Sequence, residues 1–130
     1  MPPRIAFPRI CIALGFPDAE ALLAHARSEY DAGERFFEFR LDYLPKPEQG
    51  VAAIRKFLAR HADCVILATC RRHQNAGRFN GSIEEQLRVL EAAIAAGAKA
   101  VDLEIESAEG CRPRLEGLRS RAYLLLSYHN

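Results

Sequence analysis

Apolar positions along this chain recur with two alternating periods. Residues 10–14, 36–43, 64–70, 100–105 and 123–128 are short runs rich in β-branched, aromatic or leucine residues, and they read as strands. Between them the period lengthens to that of a helix. After Asp18, the residues Ala19, Leu22, Leu23, Ala26 and Tyr30 share one helical face, and Gly33 stands where a helix would stop. Val51, Ile54, Phe57 and Leu58 make a second stripe. Ile83, Leu87, Leu90 and Ile94 make a third, opened by Ser82 and Glu85 at capping-box spacing and closed by Gly97. Residues 112–121 carry a weaker stripe of Leu115 and Leu118. Strand and helix in alternation predict right-handed βαβ crossovers and a parallel sheet of five strands and four helices.

The strands also alternate polar with apolar residues, and side chains alternate faces along a strand. Phe37, Phe39 and Leu41 fall on one face, and Glu38, Arg40 and Asp42 on the other. Val101, Leu103 and Ile105 oppose Asp102 and Glu104. Val65, Leu67, Thr69 and Arg71 share a face, as do Leu125, Ser127 and His129. One such strand would read as a wet sheet edge. Several together fit a barrel whose outer helices cover the apolar set. Glu38, Arg40, Asp42, Arg71, Asp102, Glu104 and His129 would then point inward or to the mouth. Charges there cost several kcal/mol each unless paired or matched to a ligand. Thr69, Arg71, Ser127 and His129 fall at C-terminal strand ends, where barrel active sites are built. Arginine offers forked donors for a carboxylate, and histidine exchanges protons near neutral pH. The expected ligand is therefore small, polar and anionic, and the expected chemistry is proton transfer.

Composition narrows the alternatives. The chain has 130 residues, 49% hydrophobic and 27% charged, with a formal net charge of +1. That is a globular mixture without bias toward nucleic acid or anionic membrane. Arg112, Arg114, Arg119 and Arg121 form the one basic cluster, and they read as a solvated helix face. Cys11, Cys64, Cys70 and Cys111 include no C-x-x-C pair, so neither a zinc ribbon nor a thioredoxin-like site is expected. No apolar run approaches about 18 residues, the length of a membrane span. Residues 1–8 lack a signal peptide's apolar region, which makes a reducing cytoplasm the expected compartment. No G-x-G-x-x-G or Walker motif follows a strand.

Four segments resemble the type I 3-dehydroquinate dehydratases. Glu38-Phe39-Arg40-Leu41-Asp42 is similar to that family's E-x-R-x-D strand, and Thr69-Cys70-Arg71 to its T-x-R strand end. Val101-Asp102-Leu103-Glu104 resembles its D-x-E strand, and Ser127-Tyr128-His129-Asn130 its S-x-H-D strand end. Arg78-Phe79-Asn80-Gly81 resembles members fused to shikimate dehydrogenase. The resemblance implies a (β/α)8 TIM barrel that dehydrates 3-dehydroquinate to 3-dehydroshikimate in the shikimate pathway, without metal or cofactor. A lysine forms a Schiff base with the ketone, and the iminium acidifies the neighbouring C–H. His129 would be the catalytic proton shuttle. Glu38, Arg40 and Arg71 would bind substrate, with Asp42, Asp102 and Glu104 in support.

By the same resemblance residues 1–8 are an N-terminal tail and residues 9–130 the N-terminal portion of the barrel. The barrel is then incomplete after its fifth strand, since closure takes roughly 200 residues or more. The imine-forming lysine is expected on the strand after that of His129, and Lys46, Lys56 and Lys99 are not assigned that role. The isolated chain is thus expected to lack dehydratase activity. Two residues depart from the family pattern. Asn75-Ala76-Gly77 stands in place of an E-G-G run, and Asn130 in place of aspartate. A homodimer and a C-terminal shikimate dehydrogenase domain in a longer chain remain open. So do two other functions: a divalent-metal-dependent sugar isomerase or aldolase, with Glu38, Asp42, Asp102, Glu104 and His129 as ligands, and a non-catalytic partial-barrel module.

Overall fold

A computed structural model describes residues 6–128. It contains five strands: β1 (Ile12–Leu14), β2 (Phe36–Arg40), β3 (Val65–Thr69), β4 (Ala100–Glu104) and β5 (Tyr123–Ser127). All neighbours pair in parallel and in sequence order, and the sheet does not close. Five helices cover its outer face: α1 (Ala19–Asp31), α2 (Pro47–Arg60), α3 (Ile83–Ala95), α4 (Ile105–Glu109) and α5 (Arg112–Arg119). The arrangement is the expected incomplete α/β barrel, with one short helix more than the sequence predicts.

The helix boundaries follow their capping chemistry. Asp18 accepts the Glu20 N–H at 2.9 Å to start α1. Ser82 and Glu85 exchange bonds of 3.1 and 3.0 Å to start α3. Gly33 and Gly97, both at positive φ, follow α1 and α3. Adding a β-carbon to Gly50 would bring it to 2.2 Å from the Leu41 side chain, so α2 packs directly on the end of β2.

The core lies between sheet and helices. Phe37, Phe39, Leu41, Val101 and Leu103 are fully buried there, as the alternation requires. Phe57 of α2 meets Phe37 edge-on at 5.6 Å and Phe39 at 6.0 Å. Ile105 is different. Instead of extending β4 it begins α4, and it is 38% exposed. The arginine cluster lies on a solvated face, as expected, with Arg112, Arg119 and Arg121 exposed. Arg114 pairs with Glu84 and Glu91 of α3, and Arg121 approaches Glu91 at 3.8 Å, so surface ion pairs link α5 and the residues after it to α3.

The N-terminal segment joins the fold before β1. Phe7 lies 5.3 Å from the Phe36 ring and 5.2 Å from that of Tyr123. It therefore spans the N-terminal ends of β2 and β5 on the concave side. No helix among the described residues is long and apolar enough to cross a membrane. All four cysteines are free. Burial pushes the Cys64 thiol up to about 11, with the Asp63 charge adding to it. Partial desolvation, then the Glu38 charge, push the Cys11 thiol up to about 11. Both thus remain protonated and unreactive near neutral pH.

Candidate active site on the concave face of the sheet

Parallel register sets the site. Arg40 aligns with Thr69, Thr69 with Asp102, and Glu104 with Ser127, so the C-terminal ends of four strands lie side by side. One arrangement occurs twice on this face. The Thr69 hydroxyl of β3 donates to a Glu38 oxygen of β2 at 2.6 Å. The Ser127 hydroxyl of β5 donates to an Asp102 oxygen of β4 at 2.6 Å. In each case a hydroxyl two residues further along its strand reaches back to the carboxylate of the preceding strand. Bonds this short are strong and hold both side chains in fixed directions.

Arg71 leaves the end of β3 between these two pairs. One terminal nitrogen lies 3.9 Å from an Asp102 oxygen, and the side chain is 12% exposed. Its Nε is buried without any acceptor among the described residues. A buried donor left unmade costs about 1–3 kcal/mol. The guanidinium therefore has donors to give to an anionic ligand on the concave face. Arg71 is thus brought beside Asp102, and Glu38 is held by Thr69 on the strand pairing to the other side of β3.

Three predicted residues sit differently. Asp42 was expected on the inward face of an extended strand. However, β2 ends at Arg40, and Leu41–Tyr43 form a 3-10 turn that swings the carboxylate back. It accepts both forks of Arg40, at 3.0 and 2.8 Å, and the Arg78 N–H at 3.1 Å. Arg40 is accordingly held by Asp42 and lies 4.7 Å over the Tyr43 ring, which Arg78 also covers at 3.9 Å. Burial works against the Arg40 charge, but the hydrogen bond and charge of Asp42 outweigh it and raise the guanidinium above its ordinary value.

Glu104 was expected to point inward with Asp102. It is instead 1% exposed and accepts the Arg72 N–H at 3.1 Å, the Gln86 amide at 2.7 Å and the Ser107 hydroxyl at 3.3 Å. The strand alternation fails because β4 ends at this residue. His129 lies outside the described residues, as does Asn130.

Gln86 and Ser107 were missed from the sequence. Gln86, fully buried, also donates to the Cys70 carbonyl at 2.8 Å, so it joins α3 to the ends of β3 and β4. A signal existed: Gln86 falls on the apolar stripe, three residues after Ile83 and four before Leu90. Ser107 had none, because its helix was not predicted.

The loop after Arg71 is fixed by its own backbone. Phe79 N–H donates to Arg71 C=O at 2.9 Å, and His73 N–H to Phe79 C=O at 2.8 Å. Ala76 at its tip takes φ +66°, and a β-carbon on Gly77 would lie 2.2 Å from the Arg71 carbonyl. Asn75 is buried, and its side-chain oxygen has no partner among the described residues.

No group of three His, Cys, Asp or Glu side chains among the described residues could hold a metal ion. The carboxylates considered as ligands are dispersed, with Asp42 on Arg40 and Glu104 beneath Gln86.

Comparison with known proteins gives one consistent result. The family model for type I 3-dehydroquinase matches residues 10–130. A 3-dehydroquinate dehydratase from Dehalococcoides mccartyi strain 195 is 37% identical over 123 residues, covering 95% of this chain and 49% of the relative. A type I 3-dehydroquinate dehydratase structure from Clostridium difficile, solved with covalently modified comenic acid, superposes with TM-score 0.82. It shares 16% identity, over 95% of this chain and 51% of that one. A dehydroquinate dehydratase and shikimate dehydrogenase from S. pombe superposes with TM-score 0.64 and 23% identity, over 92% of this chain and 24% of that one. At these identities the structures show a shared fold. The chain spans about half the length of the curated relatives it matches.

Proposed function

Given that this chain belongs to the type I 3-dehydroquinase family, we propose that its concave face is the N-terminal half of a 3-dehydroquinate dehydratase site. The observation that carries this reading is Arg71. Its buried guanidinium keeps unused donors between two carboxylates that strand-end hydroxyls hold in place. In this reading Arg71 takes the substrate carboxylate, and Glu38 and Arg40 take ring hydroxyls or the carboxylate. Asp102 orients Arg71, Asp42 orients Arg40, and Glu104 holds the loop that follows Arg71. His129 is the proton shuttle that accepts the C–H proton once the ketone has become an iminium.

The amine of that iminium is not assigned to a lysine of this chain. Lys46 caps α2, Lys56 lies on α2 and Lys99 precedes β4, so none is on a strand. The proposal places the lysine on polypeptide outside residues 6–128. Two further arrangements belong to it: a homodimer, and a dehydrogenase domain joined as in the S. pombe neighbour. The mass of the natural protein in solution distinguishes them.

Borohydride trapping tests the reading. The protein containing all its strands should acquire a reduced 3-dehydroquinate adduct on a lysine, read by mass spectrometry, and its activity should survive EDTA. Arg71→Ala should raise KM about tenfold or more, the effect of losing a charged hydrogen bond. Loss of activity in EDTA with no adduct would move the assignment to a metal-dependent barrel. Dehydration at full rate by the 130-residue chain alone would show that the nucleophile has been misplaced.

A further inference from the structure

The crossover helices α1 and α2 enclose an outer groove of about 550 Å³. This volume is within the usual range for small-molecule sites. Its walls carry Arg27 from α1 and Lys56, Arg60 and His61 from the end of α2, over the edge of Phe57. Among the described residues, no carboxylate lies within ion-pair distance of Arg27, Lys56 or Arg60. The one acid lining the groove is Glu20. It lies in the first turn of α1, seven residues or about 10 Å along the helix from Arg27. The cations are therefore segregated from it at the lower end of the groove.

The adjacent groove between α2 and α3 shows the contrasting case. There two cations, Arg55 and Arg88, line the groove with two acids, Glu48 and Glu85, so the charges balance in number, without an ion pair between them among the described residues. Charge balance is thus the pattern of one helix groove and charge excess the pattern of the other. Lys56 and Arg60 are four residues apart on one helix face, where like charges repel. A single cation at each helix C-terminus would complement its dipole. Three from two helices, against one acid in the lining, leave a local excess of positive charge in this groove.

We propose that this groove binds a small multivalent anion of the phosphate or polycarboxylate class, gripped by Arg27, Lys56 and Arg60, with the His61 imidazole as an additional donor. The helix ends here present carbonyls rather than N–H groups, so side chains supply the donors. A multivalent ligand fits because its separated charges reach both walls at once. The position is remote from the proposed dehydratase face. Crossover helices run back from the C-terminal to the N-terminal ends of the strands, Arg27 and Lys56 lie in the C-terminal halves of α1 and α2, and Arg60 lies in the last turn of α2. The site is therefore on the outer layer at the opposite end from Arg71 and Ser127.

Inorganic pyrophosphate is the probe. Calorimetric titration of the purified chain should show one saturable site, with amide NMR shifts confined to the C-terminal halves of α1 and α2. Arg27→Gln combined with Arg60→Gln should weaken binding at least about tenfold, since each loses a charged hydrogen bond. Arg55→Gln combined with Arg88→Gln removes the same charge from the balanced groove and should leave affinity within about twofold. Citrate in place of pyrophosphate separates a polycarboxylate preference from a phosphate one. Circular dichroism confirms that each variant is folded. No saturation by about 10 mM, or equal weakening by both variant pairs, would overturn the proposal. Either result would leave the dehydratase reading untouched, because none of these residues belongs to the concave face.

Discussion

Single residues at this site are set by what their backbone permits. Ala76 occupies left-handed backbone at the tip of the loop that follows Arg71. A β-carbon there costs about 1–2 kcal/mol, and glycine avoids that cost while losing about 0.5–1 kcal/mol of chain entropy on folding. Ala76→Gly should therefore stabilise the fold by a few tenths to about 1 kcal/mol. Urea unfolding should show a higher midpoint with an unchanged slope. A lower midpoint would mean that the methyl group makes contacts worth more than the strain. Gly77 is the opposite case, because any side chain there collides with the Arg71 carbonyl. The two positions look alike in sequence, and only the dihedral angles and close approaches separate them.

At the scale of elements, the buried node around Glu104 joins α3, α4 and the ends of β3 and β4. Its carboxyl group accepts from three donors, with no ion pair among the described residues. Gln86→Leu would remove the shortest of these donors and leave the Cys70 carbonyl unpaired. A destabilisation of about 2–4 kcal/mol should follow, visible in chemical denaturation. Gln86→Glu should be worse, since it sets two carboxylates together. A shift below about 0.5 kcal/mol for Gln86→Leu would show that water replaces the amide without loss. Two strand ends differ from the sequence pattern for a common reason. Asp42 and Glu104 continue the strand alternation in sequence, yet each sits where the chain leaves the sheet. There a local carboxylate bond decides direction more strongly than pleat does.

For the molecule as a whole, the sheet presents β1 and β5 with pairing on one side only. Leu125, Leu126 and Tyr128 are 41%, 53% and 66% exposed, and Ile10 is 61% exposed. Unpaired strands with apolar side chains promote edge-to-edge association. The chain by itself should show an apparent mass that rises with concentration in light scattering. Leu126→Lys, which puts a charge on the open strand, should lower that mass at equal concentration. A monomer at all concentrations would show that the edges are protected, for example by the short length of β1.

What could be learned from sequence was whatever follows from periodicity and local chemistry. Stripes of spacing 3.6 located α1, α2 and α3, the reciprocal Ser82–Glu85 cap marked its helix start, and period two sorted Phe37, Phe39, Val101 and Leu103 away from Glu38 and Asp102. These are properties of near neighbours, so the chain order suffices to read them. The tertiary structure alone decided how strands align. The pairing of Thr69 with Glu38 and of Ser127 with Asp102 spans 31 and 25 residues, and register, which no local pattern encodes, creates both. The same is true of Gln86 beneath Glu104 and of the cations that α1 and α2 bring to one groove. A polar side chain's partner depends on which surfaces meet, and that is settled only when the helices pack on the sheet.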